Sequence, residues 1–142
     1  MSVAVNRILK GSNGVTWIDG EQLSTLKDIE VKIKGEFSDD NFCGDPATYS
    51  TYNGWSGEGK LTQAKIDSKL WAKLCEAYKT GVMPDIKIIS ALTDKATGKS
   101  ERVAVTGVVF TEFSLIKYKA KEAVDEEFSF KFNDYDVLDK ID

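Results

Sequence analysis

Not one histidine occurs among the 142 residues. That removes the side chain that titrates near neutral pH, the commonest metal ligand, and every pairing of serine or cysteine with an imidazole base. Cysteine is nearly missing too. Cys43 and Cys75 are too few for a disulfide framework and too far apart for a metal knuckle. Cys75 falls on the apolar side of a predicted helix and is expected to be buried as a small hydrophobe; Cys43 sits in a polar stretch and is expected to be accessible. No run approaches the roughly 20 apolar residues of a membrane span. Met1 to Lys10 lacks the apolar centre and cleavage site of a signal peptide, so synthesis in the cytoplasm without export, and no membrane binding, is the expectation. Basic residues are in deficit, 19 against 23 acidic, for a net charge of −4. Phosphate binding wants a concentrated basic face, so nucleic acid is not expected as an equilibrium partner.

What remains is ample for one core. At 42% hydrophobic residues, a chain of this length buries roughly 68–70% of its unfolded surface and needs no disulfide or metal to fold. A single domain over residues 1–142 is predicted, with flexible ends near 1–12 and 135–142. Asp19-Gly20 is a strong hairpin signal after a strand at Val15–Ile18, because both positions tolerate positive φ. Ile29, Val31, Ile33 and Phe37 then alternate with Glu30, Lys32, Lys34 and Glu36, which predicts a strand with one packed and one charged face. Gly35 interrupts the apolar row and marks a bulge or a close backbone approach. Residues 38–53 show no period and read as a long loop carrying Phe42, Tyr49 and Tyr52. Aromatics on such a loop suggest a surface that orders against a partner.

The glycine-dotted strand Gly54–Ile66 runs into one amphipathic helix starting near Asp67 or Ser68, either able to cap the first turn. Leu70, Trp71, Leu74, Cys75 and Tyr78 form its apolar stripe; Gly81 supplies a left-handed stop and Pro84 forbids continuation. Strands follow at Asp85–Thr93, Glu101–Phe110 and Glu112–Lys119, with Asp94–Gly98 as a hairpin loop. Phe128, Phe130 and Phe132 alternate in the last strand, and an acidic tail from Asp134 is expected to fray. The predicted fold class is mainly β with one α-helix, a β-barrel or two-sheet sandwich.

Catalytic and ligand motifs fail on context. Gly54, Gly57 and Gly59 open a strand rather than a helix, which excludes the dinucleotide fingerprint. Asp134, Asp136 and Asp139 lack the central glycine and closing glutamate of a calcium loop. Asp125, Glu126 and Glu127 could supply a carboxylate pair for glycoside hydrolysis, but an exposed acidic turn before a strand explains them as well. No cofactor, no metal and no enzymatic activity are expected.

In order along the chain stand the Asp19-Gly20 hairpin, the charged strand 29–37, and the segment with Asn41 and Gly44. The glycine-spaced strand 54–66 follows, then the Ser68-Lys69-Leu70 helix start, the Glu101-Arg102-Val103 strand, and the Phe128–Phe132 strand with its Asn133-Asp134-Tyr135-Asp136-Val137 ending. This collinear series resembles the XkdM-like tail tube family of contractile phage tails and phage-like particles, including R-type bacteriocins. The resemblance implies a self-assembling subunit: stacked hexameric rings whose strands join with their neighbours into one ring-wide barrel. Its implied partners are further copies of itself, the tail sheath, the baseplate, and tape-measure or terminator proteins. DNA would pass only as transient cargo. The subunit would be made in the bacterial cytoplasm and assembled in the tail of a virion or phage-like particle.

On that reading Glu30, Lys32, Lys34, Glu36, Glu58, Lys60 and Thr62 are candidates to face the lumen. Asp39, Asp40, Asn41, Phe42, Tyr49 and Tyr52 are candidates for contact between subunits. The alternative is a small β-barrel binding module in which Trp55, Tyr49 and Tyr52 stack on carbohydrate or single-stranded nucleic acid.

Overall fold

Alternation and turn chemistry build most of the elements in a computed structural model, which describes residue 5 and residues 8–141. After a 3-10 turn at Gly11–Asn13 come β1 (Gly14–Ile18), β2 (Glu21–Gln22), β3 (Leu26–Asn41) and β4 (Thr48–Ala64). Next are α1 (Lys69–Thr80), β5 (Ile86–Thr93), β6 (Ser100–Phe113), β7 (Asp125–Phe132) and β8 (Asp134–Asp139). Asp19 and Gly20 both take positive φ, 50° and 85°, and close the β1–β2 hairpin as their turn chemistry requires. The result is the mainly β class with one helix. Of the stretch 1–12 expected to be flexible, residues 1–4, 6 and 7 lie outside the described residues.

All strands belong to one antiparallel sheet in the order β2-β1-β5-β6-β7-β4-β3, with β8 also on β6. The sheet folds over on itself because β6 serves two halves. Its residues Ser100 to Val108 pair with β5, and those from Val109 to Phe113 pair with β7. Just before the switch, in the register shift between Val105 and Val108, Gly107 takes φ 66°, with the Asn133 side chain lying where a Cβ would stand. A side chain there is both strained and obstructed, so glycine makes the corner. Ile18, Ile86, Ile88, Val105 and Val108 from one half meet Leu61, Phe110, Phe128, Phe130 and Phe132 from the other in a single buried cluster.

α1 closes one end of this core through Leu74, which is buried in the same cluster, and Leu70 packed against it. Trp71 donates its ring N–H to the Leu115 carbonyl at 3.2 Å, and the Tyr78 hydroxyl donates to the Phe110 carbonyl. Gly81 stops the helix at φ 77°, its N–H donating to the Ala77 carbonyl at 2.8 Å. Asp67, not Ser68, supplies the side-chain acceptor for the first turn, taking the Lys69 N–H at 3.2 Å. Cys43 is exposed as expected, whereas Cys75 is only half-buried, because it lies at the margin of the stripe.

Three expectations are corrected. Residues 38–53 are not a long loop: Ser38–Asn41 and Thr48–Asn53 are paired strand, leaving a connection at 42–47. Both faces of that ribbon are solvated, so no apolar row exists to announce a strand. The strand expected at Glu112–Lys119 is absent. β6 continues through a bulge at Phe110/Glu112 as far as Phe113, and the chain then leaves the sheet. The tail from Asp134 does not fray where it is described. Val103 pairs with Val137 and Val105 with Tyr135, and the Tyr135 ring meets Trp55 edge-on at 5.4 Å.

Candidate assembly surfaces

The charged face of β3 becomes part of a wider surface through register. Lys32 lies opposite Glu58 and Glu30 opposite Lys60 in the β3–β4 ladder. Glu58 in turn lies opposite Lys131, Lys60 opposite Ser129, and Thr62 opposite Glu127. Directly opposed residues share a face, so Glu30, Lys32, Lys34, Glu36, Glu58, Lys60 and Thr62 lie on one side of the sheet together. Lys131, Ser129 and Glu127 of β7 extend that side by a strand. The Phe128–Phe130–Phe132 alternation already held this information, since its interleaved residues must point away from the core.

Ion pairs knit the face. Lys32 reaches Glu58 at 3.4 Å and Glu30 at 4.0 Å, and Lys60 reaches Glu127 at 3.2 Å. Hydrogen bonding and charge from Glu127 push the Lys60 ammonium above its ordinary pKa, so it stays protonated. Lys32 and Lys60 are thereby partnered within the sheet instead of being offered to a ligand.

The opposite side is apolar and depends on two glycines. A Cβ at Gly57 would stand 2.5 Å from the Phe132 ring. One at Gly59 would strike the Phe130 ring and approach the Glu30 carbonyl oxygen to 2.9 Å. The phenyl rings occupy the space that side chains at 57 and 59 would fill, so glycine is required at both positions.

β7 covers β4 only from Gly57 onward. From Lys34/Ser56 to Asn41/Thr48 the β3–β4 pair therefore projects as a two-stranded ribbon. Cross-strand pairs hold it: Ser50 donates to Asp39 at 2.6 Å, Thr48 donates to Asn41 at 2.8 Å, and Phe37 meets Tyr52 at 5.7 Å. At the tip Phe42 packs on Tyr49 at 5.6 Å, and the Tyr49 hydroxyl donates to Asp45, holding that carboxyl below its usual range. Of the residues expected on a loop, Asp39, Asp40, Asn41, Tyr49 and Tyr52 stand on strands and Phe42 alone stands in the connection. β-Branched and aromatic residues at Thr48, Tyr49, Thr51 and Tyr52 were the available strand signal.

The stacking platform of the binding-module alternative does not form. Trp55 is packed against Phe132 and Tyr135 at 6.0 and 5.4 Å, and Tyr49 falls on the other face of the ribbon from Tyr52. Among the described residues no cluster of carboxylates and thiols suits a metal ion, and no helix is long and apolar enough to cross a membrane.

An amphipathic sheet folded over one core, closed by a single helix and carrying a projecting ribbon, is the architecture of tail tube subunits. The chain aligns over 96% of its length, at TM-score 0.76 and 10% identity, with 95% of a chain from the sheath–tube complex of an extracellular contractile injection system, PVC, in the extended state. It aligns over 99%, at TM-score 0.72 and 9% identity, with 97% of a chain from the tube-terminating cap of the anti-feeding prophage. In sequence it is 28% identical over 143 residues to the phage-like element PBSX protein XkdM of Bacillus subtilis (strain 168), covering 99% of this chain and 97% of that one. Residues 1–139 match the phage tail tube protein family, and the chain belongs to that family.

Proposed function

We propose that this chain is the repeating subunit of the inner tube of a contractile tail, closing into hexameric rings that stack into a hollow conduit. The observation that carries this reading is the unpaired outer edge of β3. Among the described residues the strand runs 16 residues and pairs only with β4. So long a free edge invites pairing with another chain. Ring closure satisfies it, because the edge of one subunit meets the opposite edge of the next and no end remains.

The charged face then lines the lumen, carrying Glu30, Lys32, Lys34, Glu36, Glu58, Lys60 and Thr62, with Glu127, Ser129 and Lys131 beside them. Its Lys32 and Lys60 are engaged by carboxylates and its charges are mixed in sign, so passing DNA meets few free phosphate contacts and slides. The ribbon, with Asp39, Asp40, Asn41, Phe42, Tyr49 and Tyr52, reaches the adjacent ring. Sheath, baseplate and terminator or tape-measure proteins are the expected partners, a reading supported by a sheath–tube complex and a tube cap among its structural likenesses. The role is structural, without catalysis, cofactor or membrane binding, and synthesis is cytoplasmic. Electron microscopy of the purified chain across a concentration series tests the reading. Hollow rings or tubes of uniform diameter support it, and a monomer at every concentration, even with baseplate added, overturns it.

A further inference from the structure

At the end away from α1 the two halves of the sheet diverge and leave an apolar groove of about 410 Å³. Ile29, Val31 and Ile33 of β3 form one wall; Leu92, Val103 and Val137 stand across from them. Val31, Ile33 and Val137 are left 37, 46 and 60% exposed. Among the described residues that line the groove, Glu101 is the one charged side chain.

The N-terminal segment precedes β1, which starts at Gly14. Gly14 pairs with Leu92, which lines the groove, and a Cβ on Gly14 would stand 3.6 Å from the Leu92 side chain. The segment before it, Met1 to Lys10, contains no acidic residue and two basic ones, Arg7 and Lys10. Its described large apolar residues are not covered by their own subunit: Val5 is 79% exposed, Ile8 57% and Leu9 41%. Laid out as a strand, Val3, Val5, Arg7 and Leu9 fall on one face, since side chains alternate. That face is three apolar residues and one cation, and the groove is an apolar wall with one carboxylate.

We infer that residues 3–9 of one copy seat in the groove of the neighbouring copy, with Arg7 meeting Glu101. This rests on the tube reading and adds a specific link to it. The contact is heterologous, so repetition closes a ring or builds a stack. The outer edge of β8 pairs with no other strand among the described residues and offers backbone groups to the incoming strand. Burial of Val5 and Leu9 against β3 would also cover apolar surface that each free subunit leaves wet.

Site-specific crosslinking tests the inference. In a background of Cys43→Ser and Cys75→Ala, one batch carries Val5→Cys and a second carries Val137→Cys. The two are co-assembled and treated with a short bismaleimide. A covalent dimer joining the two batches, formed in tubes and not in dilute monomer, is expected. Tubes that form without that crosslink overturn the inference and leave the tube reading intact; a wild-type chain that never forms tubes removes the tube reading itself. If the thiol variants do not assemble, charge exchange decides. Arg7→Glu and Glu101→Arg each raise the concentration needed for assembly about two- to five-fold. The double variant restores it; a double variant as impaired as the singles overturns the inference.

Discussion

The same hairpin lives in two environments. Where β4 lies between β3 and β7, Leu61 is wholly buried and Gly57 and Gly59 are pressed against phenyl rings. Beyond Gly57 the pairing continues into water, and Phe37, Phe42, Tyr49 and Tyr52 are all at least 47% exposed. Packing fixes the first region within the subunit. The second is held by hydrogen bonds and cross-strand aromatics alone, and an isolated two-stranded ribbon is marginal in water. A fold that spends so many aromatic residues on a projecting ribbon gains from them when they meet another subunit. Stability and assembly are therefore encoded on successive stretches of one pair of strands.

Substitutions should separate the two. Phe130→Ala, in the packed region, should lose about 3–5 kcal/mol of stability in denaturant unfolding, since a fully buried ring leaves a cavity. Gly59→Ala should cost about 1–3 kcal/mol by overpacking against Phe130. Cutting the ribbon back, with Glu36 joined to Gly54 through Asn-Gly so that Trp55 stays on Phe132 and Tyr135, should change stability by less than about 1 kcal/mol, because only solvated pairs are lost. Assembly should nevertheless vanish by sedimentation. A comparable loss of stability would show that the ribbon belongs to the core.

Glu126 sharpens the packed side. It is buried on the core face of β7, and loss of hydration pushes its carboxyl above the ordinary range, a trend that nearby Asp67 reinforces and Lys65 opposes. A raised folded-state value favours the neutral form, so its contribution is present at pH below the unfolded value near 4.3 and is lost as pH rises through the folded value. Glu126→Gln should therefore melt higher than the parent near neutral pH, and the difference should close on acidification. Smallest of all, Lys32→Ala should shift stability by no more than about 0.2–1 kcal/mol, as exposed ion pairs do.

Where burial imposed a period, the sequence could be read. The Phe128–Phe132 row and the stripe around Leu74 each placed an element and its facing, whereas the alternation of Ile29 to Phe37 placed a strand whose expected packed side is left exposed at Val31, Ile33 and Phe37. Where neither face is buried, period carried no message, and residues 38–53 passed for a loop although their threonines and tyrosines favoured strand. The acidic tail misled for a related reason: the aspartates at 134 and 136 drew attention from Tyr135 and Val137 between them. The candidate lumen face was legible strand by strand. Its continuation onto Lys131 and Glu127 required the β4–β7 register, which no local pattern supplies.

The central claim is that the charged face of the β3–β4–β7 sheet lines a conduit. In the background of Cys43→Ser and Cys75→Ala, a thiol at Glu58→Cys can be labelled with small maleimide gold before assembly, and the tubes imaged. Gold in a line along the tube axis is the predicted result; gold along the outer wall would contradict the account.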